Sequence, residues 1–355
     1  MTLPFSRKLI ALAFAAALPF AASAAPEPAD MTLDAATRSA VIDALIGSMH
    51  ERYVSPETAK QMETLLRTEL KAGKYDQLTS ARQFAQTLTG TLSEAANDRH
   101  LGVRFSPEPL PEEGPARREP PASEVAGWVK FNSGVAQVER MQGNIGYLKI
   151  AFFPPAEHMG DIYGAAMTLL NGTRALIIDL RGNSGGSPAA VALLESYFFD
   201  QRTLMNTIYE REGNRTREFW TTRDLKGPRY GSTRPVYILT DNKTFSGGED
   251  MSYSMQVRKR ATLIGATTGG GANPGGVRRL HAHFNAFIPH GRAINPVTKT
   301  NWERVGVKPD IEVAPTEALR HARMLALRHG LDNATDPRER ADLAGLLEEL
   351  TSATR

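Results

Sequence analysis

The chain has 355 residues, enough for one large domain and a smaller one, and its 41% hydrophobic and 23% charged residues are typical of a globular protein. It has no cysteine, which excludes disulfides and thiolate chemistry. The formal net charge is +3, but two of the 42 basic residues, Arg7 and Lys8, lie in a predicted leader. Without them 40 basic residues face 39 acidic ones, so charge gives no argument for a nucleic-acid partner.

The N-terminus is typical of an export signal. Arg7 and Lys8 precede the apolar stretch Leu9 to Phe20, and Ala22-Ser23-Ala24 is a small-residue cleavage motif. The apolar stretch is too short to span a bilayer, and no later run is long enough. We therefore expect residues 1–24 to be a signal peptide. The mature protein is expected to be periplasmic or secreted, in a bacterium, without stable membrane insertion.

Residues 30–98 are predicted to form a small bundle of three helices. Each helix begins with a capping residue, Asp34, Ser55 or Ser80, and continues with apolar residues at helical spacing. Short links between such helices favour a bundle. Residues 106–123 follow, with six prolines among charged residues, and are predicted to be a linker.

Strands and helices alternate after this linker. Such alternation indicates an α/β core with a partly parallel sheet, which we place in residues 124–315. Residues 316–355 are predicted to be helical.

Ser246 lies where a buried strand, Val236 to Leu239, leads into a helix through Ser246-Gly247-Gly248-Glu249. Free N–H groups and the positive end of the dipole at a helix N-terminus can stabilise the oxyanion that a serine nucleophile creates. The alternative is a capping box, in which Ser246 and Glu249 only stabilise the start of the helix.

A second glycine-containing loop, Asp179 to Gly186, directly follows another predicted strand. Backbone N–H groups of such a turn can bind an anion or a carbonyl oxygen. The loop lacks the lysine of a phosphate-binding Walker motif. The alternative is a tight strand-to-helix connection.

Two further residues could complete a nucleophilic site. His100, at the end of the predicted bundle, is a candidate base for Ser246, and Glu303 could orient the imidazole. The alternatives are a packing or surface histidine and a solvated carboxylate. His281 and His283 would share one strand face and could bind a metal, but a third ligand at suitable spacing is missing. We therefore predict neither a metal nor a cofactor.

Four motifs together resemble a known family. LRGNSGG, TFSGGED, LIGATTGGG and NWERVGVKPDIEV resemble, in order and spacing, the S41 serine peptidases, which include carboxy-terminal processing proteases, tricorn protease and the interphotoreceptor retinoid-binding protein. The helical segment before DRHLGV resembles the N-terminal domain of the retinoid-binding-protein-like branch. The resemblance implies a crotonase-like core of ββα units with a small N-terminal helical bundle. The stretch from Phe105 to Val135 is too short for a PDZ domain.

The resemblance also implies roles for individual residues. Ser246 falls on the nucleophile of the family, and His100 and Glu303 fall on the base and the glutamate of the tricorn branch. N–H groups of Gly247 and of the Gly185–Gly186 region would form the oxyanion hole.

Two positions depart from branches of the family. Gly271 stands where carboxy-terminal processing proteases have a lysine base, and Arg99 stands where tricorn has a further serine. The resemblance therefore implies the Ser-His-Glu set and leaves open whether Arg99 replaces the fourth member.

These features predict an exported serine endopeptidase that cleaves peptide or protein substrates through an acyl-enzyme. An esterase, or a non-catalytic module that binds apolar ligands on the same fold, are the alternatives. Because His100 follows the bundle while Ser246 and Glu303 belong to the later core, we also expect the bundle to be part of the active unit. Its movement on the proline-rich linker would then gate the site.

Overall fold

A computed structural model of the protein describes residues 29–112 and 120–352. The predicted signal peptide, residues 1–24, and residues 113–119 of the predicted linker lie outside the described residues.

The helices of the described residues fall into an N-terminal group, a central group that flanks a sheet, and a C-terminal pair. In chain order they are α1 (Ala35–Arg52), α2 (Pro56–Lys71), α3 (Ala81–Ala96), α4 (Ala122–Lys130), α5 (Gly160–Leu170), α6 (Pro188–Glu195), α7 (Gly247–Val257), α8 (Pro315–Asn333) and α9 (Pro337–Ser352).

The strands of the described residues are short, and they form three sheets. In chain order they are β1 (Gly102–Phe105), β2 (Val135–Met141), β3 (Ile145–Ile150), β4 (Ala175–Asp179), β5 (Leu204–Glu210), β6 (Arg215–Trp220), β7 (Val236–Thr240), β8 (Thr262–Gly265), β9 (Gly275–His281), β10 (Phe284–Pro289), β11 (Gly291–Ile294) and β12 (Ile311–Glu312).

The central sheet has six strands in the order β12-β8-β7-β4-β3-β2. All neighbouring pairs are parallel except β2 and β3, which are antiparallel. The middle strands β4 and β7 are buried along their whole length. A sheet covered on both faces requires such continuous apolar strands, which explains why Ala175 to Asp179 lacks an alternating pattern. The α/β prediction and the predicted N-terminal helical region are confirmed.

Each face of the central sheet has its own hydrophobic core. Ile177 on β4 packs with Ala322 and Leu327 of α8 on one face. Ile178, the next residue along β4, packs with Met251 of α7 on the other. Because side chains alternate along a strand, one apolar run serves both cores. The carboxyl ends of β4 and β7 are thereby held side by side.

The loops that follow β4 and β7 are joined by hydrogen bonds. Phe245 N donates to Asn183 O at 2.9 Å, and Thr244 Oγ1 donates to Leu180 O at 2.8 Å. Gly182 N donates to a carboxylate oxygen of Asp241 at 3.0 Å. The two glycine-containing loops singled out in the sequence therefore form one structural unit.

The three N-terminal helices begin at the predicted caps, with Asp34, Ser55 and Ser80 each accepting a hydrogen bond from a backbone N–H of the first turn. The hydrophobic core of these helices extends beyond the bundle. It includes Phe84 of α3 together with Leu280, Phe284 and Ile288 of the antiparallel hairpin β9–β10. Strand β1 pairs antiparallel with β10 and ties the end of the bundle to that hairpin.

Helix α4 and strand β11 differ from the sequence prediction. Helix α4, Ala122–Lys130, begins inside the predicted linker, and none of its residues is buried. The prolines directly before Ala122 dominated the sequence interpretation, which therefore extended the linker to residue 123. Strand β11, Gly291–Ile294, was also not predicted; it pairs antiparallel with β5 and extends the sheet β11-β5-β6.

Candidate active site

Ser246 stands at the junction of the loop after β7 and the first residue of α7. Its backbone has φ 51° and ψ −113°, a left-handed conformation that is rare for a residue other than glycine. Such a conformation costs about 1–3 kcal/mol and persists only when the surroundings fix it. The contact with the neighbouring loop is close, since a Cβ added to Gly185 would lie 2.6 Å from Ser246 Cβ.

The Glu249 carboxylate holds this strained turn in place. It accepts hydrogen bonds from Ser246 N at 2.8 Å, Gly270 N at 2.6 Å, Gly271 N at 2.9 Å and Thr268 Oγ1 at 2.5 Å. Burial raises the pKa of Glu249, while these four donors favour the ionised form. The bond from Ser246 N belongs to the predicted capping box, but Glu249 also fixes the loop after β8, which the capping interpretation did not include.

His100 lies between α3 and β1, with its ring packed against two phenylalanines. The ring centroids of His100 and Phe245 are 4.5 Å apart, and those of His100 and Phe287 are 5.6 Å apart. Burial lowers the pKa of His100 below its ordinary 6.5, partly opposed by the Asp98 charge. The imidazole is therefore neutral at pH 7, the form in which it can accept a proton. His100 and Ser246 line the same cavity, of about 660 Å³.

Glu303 lies in the loop after β11, near His100. Its Oε2 accepts a hydrogen bond from Ala272 N at 2.5 Å. Burial and the nearby Asp98 charge raise the pKa of Glu303 to about 7. One side-chain nitrogen or oxygen each of Asp98, His100 and Glu303 lies within 4.8 Å of the others. His100 Nδ1 and Glu303 Oε1 are both buried and have no hydrogen-bond partner in the described chain.

The predicted oxyanion residues are not equivalent. Gly185 N donates to Asn183 Oδ1 at 2.8 Å and is therefore already engaged. Gly186 N and Gly247 N have no acceptor among the residues that the structure describes. The two groups are neighbours, because a Cβ added to Gly247 would lie 3.0 Å from Gly186 N. The structure thus brings two free N–H groups together beside Ser246.

Asp98 is a buried part of the site that the sequence interpretation missed. It is 1% exposed and accepts hydrogen bonds from Tyr53 Oη at 3.0 Å, Asn273 Nδ2 at 2.9 Å and His100 N at 3.0 Å. An aspartate two residues before a candidate base is a typical Asx-turn pattern, and that was the available signal. Asp98 fixes the backbone of His100.

The alternative metal ligands lie apart from this site. His281 ends β9, whereas His283 lies in the turn before β10. The expectation that they share one strand face is wrong, because the turn of the hairpin begins directly after His281. His283 Nδ1 lies 3.0 Å from Ser106 O instead.

Two family models match separate segments of the chain. The family model "Peptidase family S41" matches residues 144–313, and the model "N-terminal domain of Peptidase_S41 in eukaryotic IRBP" matches residues 31–130. The chain belongs to peptidase family S41. The first S41 match contains Ser246 and Glu303, and the second contains His100. The candidate site is therefore built from both matched segments.

Individual S41 relatives agree with this assignment. The chain is 28% identical over 138 residues to the carboxy-terminal processing protease CtpB of Bacillus subtilis (strain 168), which is 38% of this chain and 27% of CtpB. The chain thus spans about a quarter of the length of this curated relative.

Two solved structures share the fold. A candidate peptidase from Parabacteroides merdae is similar with TM-score 0.57 and 20% identity, covering 84% of this chain and 99% of that one. Mature CPAF is similar with TM-score 0.52 and 11% identity, covering 84% and 98%. Within the described residues of this S41 protein, no helix has the length and apolar character needed to cross a membrane.

Proposed function

We propose that this protein is an exported serine endopeptidase in which Ser246, His100 and Glu303 carry the reaction. The observation that carries the proposal is the placement of Ser246 and His100 on one cavity, with Ser246 in a strained turn beside two free N–H groups. Membership of family S41 supports peptide-bond hydrolysis. Export rests on the leader-like residues 1–24.

In the first half-reaction the Ser246 hydroxyl attacks the peptide carbonyl carbon. His100, which lines the same cavity as Ser246, accepts the hydroxyl proton through one of its ring nitrogens. The carbonyl oxygen becomes an oxyanion that accepts hydrogen bonds from Gly186 N and Gly247 N. Each such donor is typically worth about 3 kcal/mol of transition-state stabilisation.

The tetrahedral intermediate then collapses. The C–N bond breaks, His100 donates its proton to the leaving amine, and Ser246 carries the acyl group. A water molecule attacks this ester with His100 again as base, and the acid product leaves with the serine restored. Glu303 stabilises the imidazolium in both halves. Because its pKa is raised to about 7, the carboxylate is available for this role only near and above neutral pH.

Labelling with a fluorophosphonate tests the nucleophile directly. The mature chain should be labelled at Ser246, and both Ser246→Ala and His100→Ala should lose labelling and hydrolysis of an unfolded protein. Ser184 lines the same cavity and is the matched control. Ser184→Ala should remain labelled, whereas full activity of Ser246→Ala would refute the proposal.

A further inference from the structure

Asp250 is a buried carboxylate on the wall of the catalytic cavity. It lies one helical turn after Ser246 on α7, and Asp250 N donates to Ser246 O at 2.9 Å. The residue is only 5% exposed, yet it lines the same cavity as Ser246. A carboxylate in such a place needs a reason, because burying a charge without partners is costly.

Only half of the Asp250 carboxylate has a partner in the described chain. Oδ1 accepts a hydrogen bond from Asn206 Nδ2 at 2.9 Å. Oδ2 accepts no hydrogen bond from any residue that the structure describes, and this oxygen is not fully buried. Oδ2 is therefore open to the cavity and can accept a hydrogen bond from a ligand.

Two buried carboxyl groups, those of Asp250 and Glu195, lie near one guanidinium, that of Arg258. Glu195 lies fully buried beside Asp250, with Oε1 accepting from Ser254 Oγ, and the pKa values of both carboxyl groups are raised by burial. Arg258 faces both, donates one N–H to Leu204 O and leaves Nη1 without a partner. Two carboxyl groups thus share one guanidinium. A second cation would allow Asp250 to ionise without an uncompensated buried charge.

Apolar side chains also line the cavity that contains Asp250. Ile208 of β5, Ala293 of β11 and Trp302 line the cavity with it. The distance along α7 from Ser246 to Asp250 is about one helical pitch, ~5.4 Å. A flexible four-carbon stem ending in an ammonium, or the longer arginine side chain, could lie along such walls with its charged end at Oδ2.

We propose that Asp250 forms the base of the pocket for the residue on the N-terminal side of the cleaved bond, and that this pocket selects lysine or arginine. The inference rests on the proposed function, since it assigns the specificity of the same site. Arg99, Arg104 and Lys243 also line the cavity, but these side chains are exposed. Solvent and salt screen exposed charges far more than the buried carboxylate, so these three side chains oppose a cation at Asp250 only weakly.

Two internally quenched peptides test the pocket. They are polyalanine sequences that differ at one central residue, lysine in one and its uncharged isostere norleucine in the other. A charge-assisted hydrogen bond corresponds to roughly a 10- to 100-fold preference, so kcat/KM should favour lysine by that factor. Mass spectrometry should locate cleavage directly after the lysine. Equal or better cleavage of the norleucine peptide would overturn the inference.

Variants separate the role of Asp250 from a structural one. In Asp250→Asn the lysine-to-norleucine ratio of kcat/KM should fall to about one, because the amide no longer offers an ionised oxygen. Asp161→Asn removes an exposed carboxylate of α5 and should leave the ratio unchanged. A ratio that survives in folded Asp250→Asn protein would contradict the proposal. If that variant does not fold, the wild-type ratio decides.

Peptide binding to an inactive variant tests the lysine pocket independently of the proposed peptidase activity. Fluorescence anisotropy of the two peptides on Ser246→Ala protein measures selection without hydrolysis, and the lysine peptide should bind about 10-fold more tightly. Tighter lysine binding with no fluorophosphonate labelling of the wild type would support the pocket and refute the peptidase. Labelling of Ser246 with equal binding of both peptides would support the peptidase and overturn the pocket.

Discussion

A Cβ added to Gly271 would lie 2.6 Å from Cε1 of His100, closer than real side chains approach each other. The same atom would lie 2.3 Å from Cζ of Phe245. By the resemblance described above, position 271 is where one branch of the family carries a lysine base. A side chain at 271 and the His100 imidazole therefore compete for one volume. This chain has a glycine there, which leaves room for the histidine.

Gly271→Ala should reduce activity strongly while the chain still folds. The new methyl group has to displace His100 or Phe245, and about 1 Å of misplacement in a catalytic group can cost a hundredfold in rate. We expect kcat to fall about 100-fold, measured with a peptide substrate. Gly172→Ala is the control, because an added Cβ there meets no atom within 4 Å. Unchanged kcat in Gly271→Ala would indicate that His100 is not the base.

Glu303 should make the protein less stable as pH rises from about 4.5 to about 7. The unfolded chain loses this proton near the ordinary glutamate pKa of 4.5, whereas the folded chain keeps it up to a pKa of about 7. The folded state thus binds more protons in this window, and the free energy of unfolding falls as pH rises. The difference in the free energy of unfolding between pH 5 and pH 7.5, measured by urea denaturation, should be smaller in Glu303→Gln than in the wild type. Glu312→Gln, an exposed glutamate, should behave as the wild type.

The pH dependence of hydrolysis should report His100 and Glu303 together. Burial holds the pKa of His100 below 6.5, so most of the imidazole is neutral at pH 7. Glu303 ionises at higher pH, because its pKa is raised to about 7. We expect kcat/KM to rise with pH and to level off above 7. In Glu303→Gln the rise of kcat/KM should shift to lower pH, and its plateau value should fall at least tenfold. A pH profile of kcat/KM that does not shift would exclude Glu303 from the reaction.

Glu249→Ala should destabilise the protein by about 3 kcal/mol or more. The change leaves Ser246 N, Gly270 N, Gly271 N and Thr268 Oγ1 without their acceptor, and each buried unsatisfied group costs about 1–3 kcal/mol. Denaturant unfolding measures the loss, and fluorophosphonate labelling should slow in parallel because the turn of Ser246 is released. If the variant were as stable as the wild type, Glu249 would not hold the turn.

Arg304 links the bundle to the loop that carries Glu303. Its Nε donates to Asn97 O at 2.7 Å and its Nη2 donates to Ala96 O at 2.9 Å, at the carboxyl end of α3. Arg304→Ala should therefore lower kcat about tenfold by loosening His100 relative to Glu303. Arg67→Ala removes an exposed arginine of α2 and should leave kcat unchanged. Equal kcat in the two variants would mean that this contact does not position the base.

Deletion of the bundle is a less specific test than these substitutions. A chain that starts after Ser123 would lack the apolar surface that covers Leu280, Phe284 and Ile288. Such a chain would lose activity through exposure of the hairpin as well as through loss of His100. Arg304→Ala leaves that core covered, so its effect on kcat can be assigned to position alone.

Much of the fold could be predicted because its signals are local. The buried run Val236 to Leu239 and the caps Asp34 and Ser80 depend on neighbouring residues, and the structure has the expected elements there. Helix α4 directly follows the prolines of the predicted linker, and strand β11 has only four residues. Strand β11 is stabilised by antiparallel pairing with the edge of β5, and this pairing depends on the tertiary structure.

The candidate site was partly accessible through motifs. Their resemblance to a family identified Ser246, His100 and Glu303, which are far apart in sequence. The functions of Glu249 and Asp98 depend on contacts with Gly270 and with Asn273, respectively, which no spacing rule gives. Similarly, Gly185 and Gly186 are indistinguishable in sequence, and only the bond to Asn183 Oδ1 separates them.

The hairpin β9–β10 completes the bundle core, although it is synthesised long after the three helices. A nascent chain that has produced only α1 to α3 therefore lacks the hairpin that completes their hydrophobic core, and we expect it to bind holdase chaperones. Contacts between such distant segments form late and slowly. His100 would consequently reach its place only after nearly the whole polypeptide exists, which delays any proteolytic activity until synthesis is almost finished.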